Sequence, residues 1–373
     1  MKEFIKILEL YDKIDKERLK AALATVICVD GSSYRRPGAR MLITSDGKWE
    51  GAISGGCLEG DVLRKARKVM NSGERDVITY NTMDDSSDVF GIRLGCNGVI
   101  RILLEPVDFS KPGNPVLLLK DLVEIDEPRV LGTIFNGGKT SGFYTGQRIL
   151  FNPEQDNIVP DWMQWQCEVA LKSGKSQVIT YDTDETPVEV LFELVQPQMQ
   201  LVIFGAGYDI YPLINIAKEL GWRVILSDEC MVQLLTKQAS CADAKICGNS
   251  HEILNEINIT GRTAAVLMSH NYTNDLSMLK ALTKTTIPYI GILGPKARFQ
   301  KMWNEMEETE PELSNEDRER IFAPIGLDIG AETPEEIALS IIAEIKATFT
   351  KRSAQFLRHR FGPIHEREMQ GVL

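Results

Sequence analysis

Long hydrophobic runs are missing from this chain. No apolar stretch approaches the ~20 residues needed to span a bilayer, so no membrane partner is expected. The opening Met1-Lys2-Glu3-Phe4 lacks the positive-then-apolar order of a secretory signal. Phe4, Ile7, Leu8, Tyr11 and Ile14 fall instead at helical spacing, and a cytoplasmic protein is expected. Histidine is scarce, with four scattered residues, which argues against a histidine-rich zinc site. Cysteines stand at 28, 57, 96, 167, 230, 241 and 247, an odd number with no two-residue gap of a zinc or redox motif. Free thiols in a reducing compartment are the expectation. Positive charge is also short: 42 Lys and Arg face 53 Asp and Glu, a net charge of −11. Such a chain is a poor candidate for binding nucleic acid or anionic membranes.

What is present is ordinary for a soluble globular protein, 43% hydrophobic and 25% charged residues. A length of 373 residues leads us to expect two or three domains. Within it, Gly51-Ala52-Ile53-Ser54-Gly55-Gly56-Cys57-Leu58-Glu59 follows an apolar run, Arg40–Thr44, and precedes a helical pattern from Asp61 to Met70. The stretch reads as a strand passing into a glycine turn, with Cys57 at or near a helix N-terminus. Adjacent glycines let a ligand approach the backbone and free its N–H groups for an anion. A helix N-terminus favours the thiolate, which suits a nucleophile or a soft-metal ligand. A tight turn holding a buried, inert cysteine fits the local sequence equally well.

The first half repeats itself. Ser72-Gly-Glu-Arg-Asp-Val-Ile-Thr-Tyr-Asn-Thr82 returns as Ser173-Gly-Lys-Ser-Gln-Val-Ile-Thr-Tyr-Asp-Thr183. Weaker echoes link Gly38–Thr44 with Gly146–Asn152, Ala24–Cys28 with Val130–Phe135, and Ile100–Pro106 with Val190–Pro197. Two degenerate α/β copies are expected, about 20–107 and 128–197, in a domain of residues 1–197. The second copy has no counterpart of Ser54–Cys57 or of the segment 84–97, which carries Gly95 and Cys96. A copy kept for scaffolding loses ligand loops and keeps strands, so function is expected in the first. Arg35 and Arg36, in the loop 31–38, offer charge to an anion, or lie on a solvated turn.

The second half has the pattern of a dinucleotide fold. The apolar strand Gln200–Phe204 runs into Gly205-Ala206-Gly207, then a helical run Ile210–Leu220, then a strand ending at Asp228. That context makes a Rossmann-like doubly wound parallel sheet the expectation for residues 198–350. Ile210 replaces the third glycine of the motif. Asp228 is placed to bond a ribose 2′-OH. Ser269, His270 and Asp275 follow one strand, and Gly294, Lys296 and Arg298 follow the next, where open α/β sheets bind ligands. His270 reads as an acid–base group or as a loop histidine. Gly326 and Gly330 bring N–H groups to a cleft or shape a turn. Residues 304–320 read as a solvated charged surface. Thr333 and Glu336 form a capping box with Pro334 at the first helical position, followed by an apolar stripe at Ile337, Ile341, Ile342 and Ile345. The tail 351–373 is basic and reads as an appendage.

Taken together, these segments resemble the XdhC/CoxI family, accessory proteins of xanthine dehydrogenase and related molybdenum hydroxylases. The resemblance is carried by Gly31-Ser32-Ser33, Arg36-Pro37-Gly38-Ala39-Arg40-Met41, Ser54-Gly55-Gly56-Cys57-Leu58-Glu59, Gly95-Cys96-Asn97-Gly98, Phe204-Gly205-Ala206-Gly207, Ser269-His270, Tyr289–Gly294 and Pro324–Ala338. It spans about residues 20–348. Tyr208, Cys230 and the Gly294-Pro295-Lys296-Ala297 turn depart from the family's habits. The resemblance implies an N-terminal XdhC/CoxI α/β domain and a C-terminal Rossmann domain. It implies a protein that binds molybdenum cofactor, protects it, assists its sulfuration and inserts it into the apo-hydroxylase. Implied partners are that hydroxylase, a cysteine desulfurase and a second copy in a homodimer. Cys57 is then a candidate molybdenum ligand and Cys96 a second ligand or sulfur relay. The cofactor-binding set is Ser54, Gly55, Gly56, Cys57, Glu59, Gly95, Cys96, Gly205, Gly207, Asp228, His270, Gly294 and Gly326.

A cofactor-binding chaperone fits this set better than a turnover enzyme. The alternative is an NAD-dependent oxidoreductase, with His270 as acid–base group and NAD in the Rossmann cleft. That leaves the cysteine loops unexplained. A plain scaffold joining a hydroxylase to a sulfurtransferase predicts that Cys57→Ala leaves function intact.

Overall fold

The computed structural model describes residues 1–31, 34–81, 98–137, 142–152, 159–182, 187–310, 313–361 and 369–372. The chain forms two compact units, Met1–Pro197 joined by His365–Leu373, and Gln198–Ile364.

The first unit opens with an amphipathic helix, α1 (Lys2–Lys13), which buries Phe4, Ile7 and Tyr11. Then follow β1 (Ala21–Gly31), β2 (Arg40–Thr44), β3 (Trp49–Gly51), α2 (Glu59–Ser72), β4 (Asp76–Asn81) and β5 (Gly98–Val107). These strands make an antiparallel sheet in the order β3-β2-β1-β5-β4. The chain passes through α3 (Leu117–Val123) into β6 (Arg129–Asn136), β7 (Arg148–Phe151), α4 (Asp161–Ser173), β8 (Gln177–Tyr181) and β9 (Val188–Val195). The order β8-β9-β6-β7 in the second sheet reproduces β4-β5-β1-β2 in the first. Each repeat has one helix between corresponding strands, and each carries a register shift at the same place, Val26/Cys28 in β1 and Ile134/Asn136 in β6. The following turns match bond for bond: Gly38 N–H donates to Val26 O, and Gly146 N–H donates to Ile134 O, both at 2.7 Å. Side chains of both repeats meet in one buried cluster, Ile27, Cys28, Leu103, Phe135, Val178 and Leu191.

The second unit is a parallel sheet. Its elements are β10 (Gln200–Phe204), α5 (Ile210–Glu219), β11 (Arg223–Asp228), α6 (Met231–Leu234), β12 (Ala244–Cys247), α7 (Ser250–Glu256) and β13 (Thr263–Leu267). Then come α8 (Tyr272–Thr283), β14 (Tyr289–Ile292), α9 (Lys296–Thr309), α10 (Asn315–Glu319), β15 (Ile321–Phe322) and α11 (Pro334–Phe349). The strand order is β12-β11-β10-β13-β14-β15, the order of a dinucleotide fold with its switch point between β10 and β13. Alternate strand residues face opposite layers. Leu201, Ile203, Val224 and Val266 pack with α5 and α11, and Val202, Phe204, Ala265 and Ile290 pack with α8 and α9. Thr333 and Glu336 form the expected capping box, and Ile341, Ile342 and Ile345 are buried. The stretch 304–320 departs from a purely solvated surface. Its residues 304–309 end α9, where Met306 is buried on the same helix face as Met302 and Trp303.

The tail also departs from an appendage. Its last described residues form β16 (Met369–Val372), which adds to β8 in parallel. Exposed backbone on an edge strand is a template for such pairing. No described helix is long and apolar enough to cross a membrane.

Candidate functional site

In the first unit, Ser54 organises the glycine loop. Its hydroxyl accepts N–H bonds from Gly56, Cys57 and Leu58 at 3.1–3.2 Å and donates to Glu59 Oε2. Ser54 N–H donates to Glu59 Oε1 at 2.9 Å. One hydroxyl therefore accepts from three successive backbone donors of the turn that leads into α2. The expectation of N–H groups freed for an anion meets a different arrangement here: those of Gly56, Cys57 and Leu58 already have Ser54. Burial opposes ionisation of Glu59, but the bonds from the Ser54 hydroxyl and backbone outweigh it and hold the carboxyl below its ordinary range. Gly56 has φ +105 and open space where a Cβ would stand, with nothing within 4 Å. A Cβ on Gly55 would lie 3.5 Å from the exposed Tyr34 ring. Cys57 is free and half-buried, two residues before α2 begins. The turn thus carries one thiol and, two residues on, one carboxylate, with open space at Gly56 that a ligand can approach.

Gly95 and Cys96 lie outside the described residues. Arg35 is taken by Glu3 of α1, while Arg36 is exposed.

In the second unit, Gly205 (φ +114) lets β10 end against the chain after β13. A Cβ there would meet Ser269 Cα at 2.5 Å and Met268 O at 2.6 Å. Asp228 holds this turn, since Oδ2 accepts from Ala206 N–H at 3.0 Å and Oδ1 from Cys230 N–H at 2.7 Å. The hollow beside Asp228, Gly205 and Ser269 measures about 30 Å³. Ile210, where the motif carries its third glycine, is fully buried in the α5 layer.

A larger cavity of about 510 Å³ opens between the N-terminal ends of α5 and α11 and the ends of β13 and β14. Leu213, Met268, Leu293 and Ile341 give it apolar walls; Asp209, His270, Gly294 and Arg298 give it polar edges. His270 Nε2 lies 3.0 Å from Asp209 Oδ2, and His270 has φ +58, a conformation rare outside glycine that often marks functional positions. Asp209 Oδ1 is buried without a hydrogen-bond partner. Arg298 is committed to the buried Asp275 (2.8 Å) and to Leu293 O (3.1 Å), and Asp275 also accepts from Ser269 Oγ at 2.6 Å. Gly326 does not line this cavity. Its N–H donates to Glu344 Oε2 at 2.9 Å, and a Cβ would strike Ser340 Oγ at 2.4 Å. Its glycine is explained by packing on α11.

The structure therefore gathers Ser54, Gly55, Gly56 and Cys57 in one turn with Glu59 at the start of α2, places His270 and Gly294 on the second-unit cavity with Gly207 against Asp209 and His270, and leaves Gly205 and Asp228 at the smaller hollow. Sequence reasoning missed Asp209 and Tyr208, which line the cavity. An acid placed two residues after the Gly-x-Gly pair was the available signal.

Comparison with known proteins adds independent findings. A family model described as the XdhC Rossmann domain matches residues 201–345, and one described as the XdhC and CoxI family matches residues 15–81. The chain is 27% identical to a Bacillus subtilis protein named as a probable subunit of xanthine dehydrogenase, over 91% of this chain and 96% of that one. It is 24% identical to the molybdenum cofactor insertion chaperone PaoD of Escherichia coli, over 87% of this chain and 82% of that one. A crystal structure described as a xanthine dehydrogenase from Bacillus halodurans superposes with a TM-score of 0.72 at 28% identity, covering 94% of this chain and 97% of that one. The two family matches fall in different units of the chain: residues 15–81 carry an XdhC and CoxI family segment and residues 201–345 an XdhC Rossmann domain.

Proposed function

We propose that this protein is a maturation factor for a molybdenum hydroxylase of the xanthine dehydrogenase type. It binds molybdenum cofactor as cargo, protects it, assists its sulfuration and delivers it to the apo-hydroxylase. The observation that carries this is the Ser54–Glu59 loop. A half-buried free thiol at Cys57 lies two residues before a carboxylate held in its ionised form, in a turn with open space at Gly56. A thiolate is a soft ligand suited to molybdenum, and a loop pinned by Ser54 presents it in one geometry. Similarity to a protein named as a molybdenum cofactor insertion chaperone supports the same reading. Sulfur supply by a cysteine desulfurase and work as a homodimer, which rest on the sequence resemblance, and a cytoplasmic location, which rests on the lack of a long apolar run, complete the proposal.

The test is anaerobic titration of molybdenum cofactor into wild type and Cys57→Ala, with bound pterin read by fluorescence after oxidation. Saturable binding that the variant loses supports the carrier with its ligand at this loop. Absence of binding by both proteins overturns it.

A further inference from the structure

Three features of the second unit point away from its expected dinucleotide. The hollow beside Asp228, where a ribose would lie, is small, about 30 Å³. Each oxygen of Asp228 accepts one backbone N–H bond that holds the turn, and its remaining acceptor capacity faces only that small hollow. The third feature is Asp209. A pyrophosphate in such folds sits on the glycine turn at the N-terminus of the first helix. Here Asp209, the residue just before α5, folds its carboxylate back over that turn, so that a Cβ on Gly207 would lie 2.7 Å from Asp209 Oδ1. His270 Nε2 holds the other oxygen at 3.0 Å. A fixed negative charge thus stands in the phosphate seat, and a second anion there would be repelled.

The same carboxylate suits a different ligand. The adjacent cavity, about 510 Å³, is the size of a small-molecule site. Its walls are apolar. Among the described residues its one arginine or lysine, Arg298, is engaged by Asp275, and its other charged edge groups are Asp209, Glu332 and His270. Such a space favours a flat, uncharged ring presenting N–H donors. Asp209 Oδ1 is a buried acceptor without a donor, and a carboxylate can accept about four hydrogen bonds, so Oδ2 keeps capacity beyond His270. Adjacent N–H donors on one ring edge are the complement of a carboxylate.

We propose that this cavity binds the 2-amino-4-oxopyrimidine edge common to pterins and guanine, read by Asp209, and that the glycine turn beside it does not seat a dinucleotide. The inference deepens the cofactor-carrier reading and rests on it for the pterin as the natural ligand.

The test is a fluorescence titration of the full chain with neopterin, with guanosine and NADH as competitors. Saturable neopterin binding is expected, weakened about tenfold to a hundredfold in Asp209→Asn, the scale of a lost charge-assisted hydrogen bond. NADH should not displace it. Displacement by guanosine shows that the shared edge is read; failure to displace, with Asp209 dependence intact, identifies the pterin as the source. Ile337→Phe, which fills the cavity from α11, should abolish binding and serves if Asp209→Asn does not fold. Absence of neopterin binding, unchanged affinity in the variants, or displacement by NADH overturns the proposal. Molybdenum cofactor separates the two readings. If it binds wild type and Asp209→Asn equally, this site falls and the carrier stands. If neopterin binds through Asp209 but the cofactor does not bind, the carrier falls and the site stands.

Discussion

Arg40 of the first repeat closes a bidentate pair with Glu193 of the second: Nη1 lies 2.9 Å from Oε1, and Nη2 binds Oε2. The relationship is reciprocal. Arg148, which corresponds to Arg40, pairs with Glu105, which corresponds to Glu193. Each glutamate lies against the left-handed glycine of the other repeat, at 2.7 Å from the Cβ position of Gly38 and 2.6 Å from that of Gly146. The two copies therefore lock through exchanged side chains, and both glycines are required by the partner's carboxylate as much as by their turn.

Removing one member of the first pair leaves a buried, uncompensated charge, since Arg40 is 1% exposed. Glu193→Gln is expected to destabilise the first unit by about 3–5 kcal/mol. Arg40→Met with Glu193→Leu should cost far less, because no charge is stranded. Urea unfolding of the three proteins checks the order.

Glu59 links the thiol loop to pH. Its folded-state pKa lies below the ordinary value of 4.5. The carboxylate therefore contributes stability that is present above about pH 4.5 and is lost as pH falls through the folded value. Glu59→Gln should be less stable than wild type at neutral pH, with the difference shrinking in acid. Thermal unfolding across pH 7 to 3 measures this; a constant difference would sink it.

Two left-handed glycines should respond differently to alanine. At Gly56 only the backbone conformation resists, with no atom within 4 Å, and Gly56→Ala is expected to cost about 1–2 kcal/mol. At Gly205 the methyl also meets backbone at 2.5 Å, and about 3 kcal/mol or more is expected. Denaturant midpoints of the two variants provide the comparison.

Asp275 is 1% exposed and joins Ser269 to Arg298. Asp275→Asn leaves the guanidinium without its counter-charge. A loss of about 3–5 kcal/mol is expected, together with weaker ligand binding in the adjoining cavity. Chemical unfolding and the neopterin titration read the two effects separately.

The glycine loop at 54–59, the strand–turn–helix at 200–219 and the Thr333 capping box were legible because each depends on residues near one another in the chain. Less legible was what each polar group touches. Asp228 stands where a ribose-binding acid should, yet its oxygens are used by Ala206 and Cys230. Gly326 has the sequence look of a cleft glycine and is needed instead against Ser340.

By itself the sequence determined the periodicities, the repeat, the parallel order of βα units and the thiol in its glycine turn. Hydrophobic spacing and backbone freedom are local, and a strand or cap forms from its own neighbours. Only the tertiary structure decided that Arg40 meets Glu193 across 153 positions and that His270 meets Asp209 across 61. The energy of such pairs depends on distance and burial set by whole packed layers, which no short stretch of chain encodes.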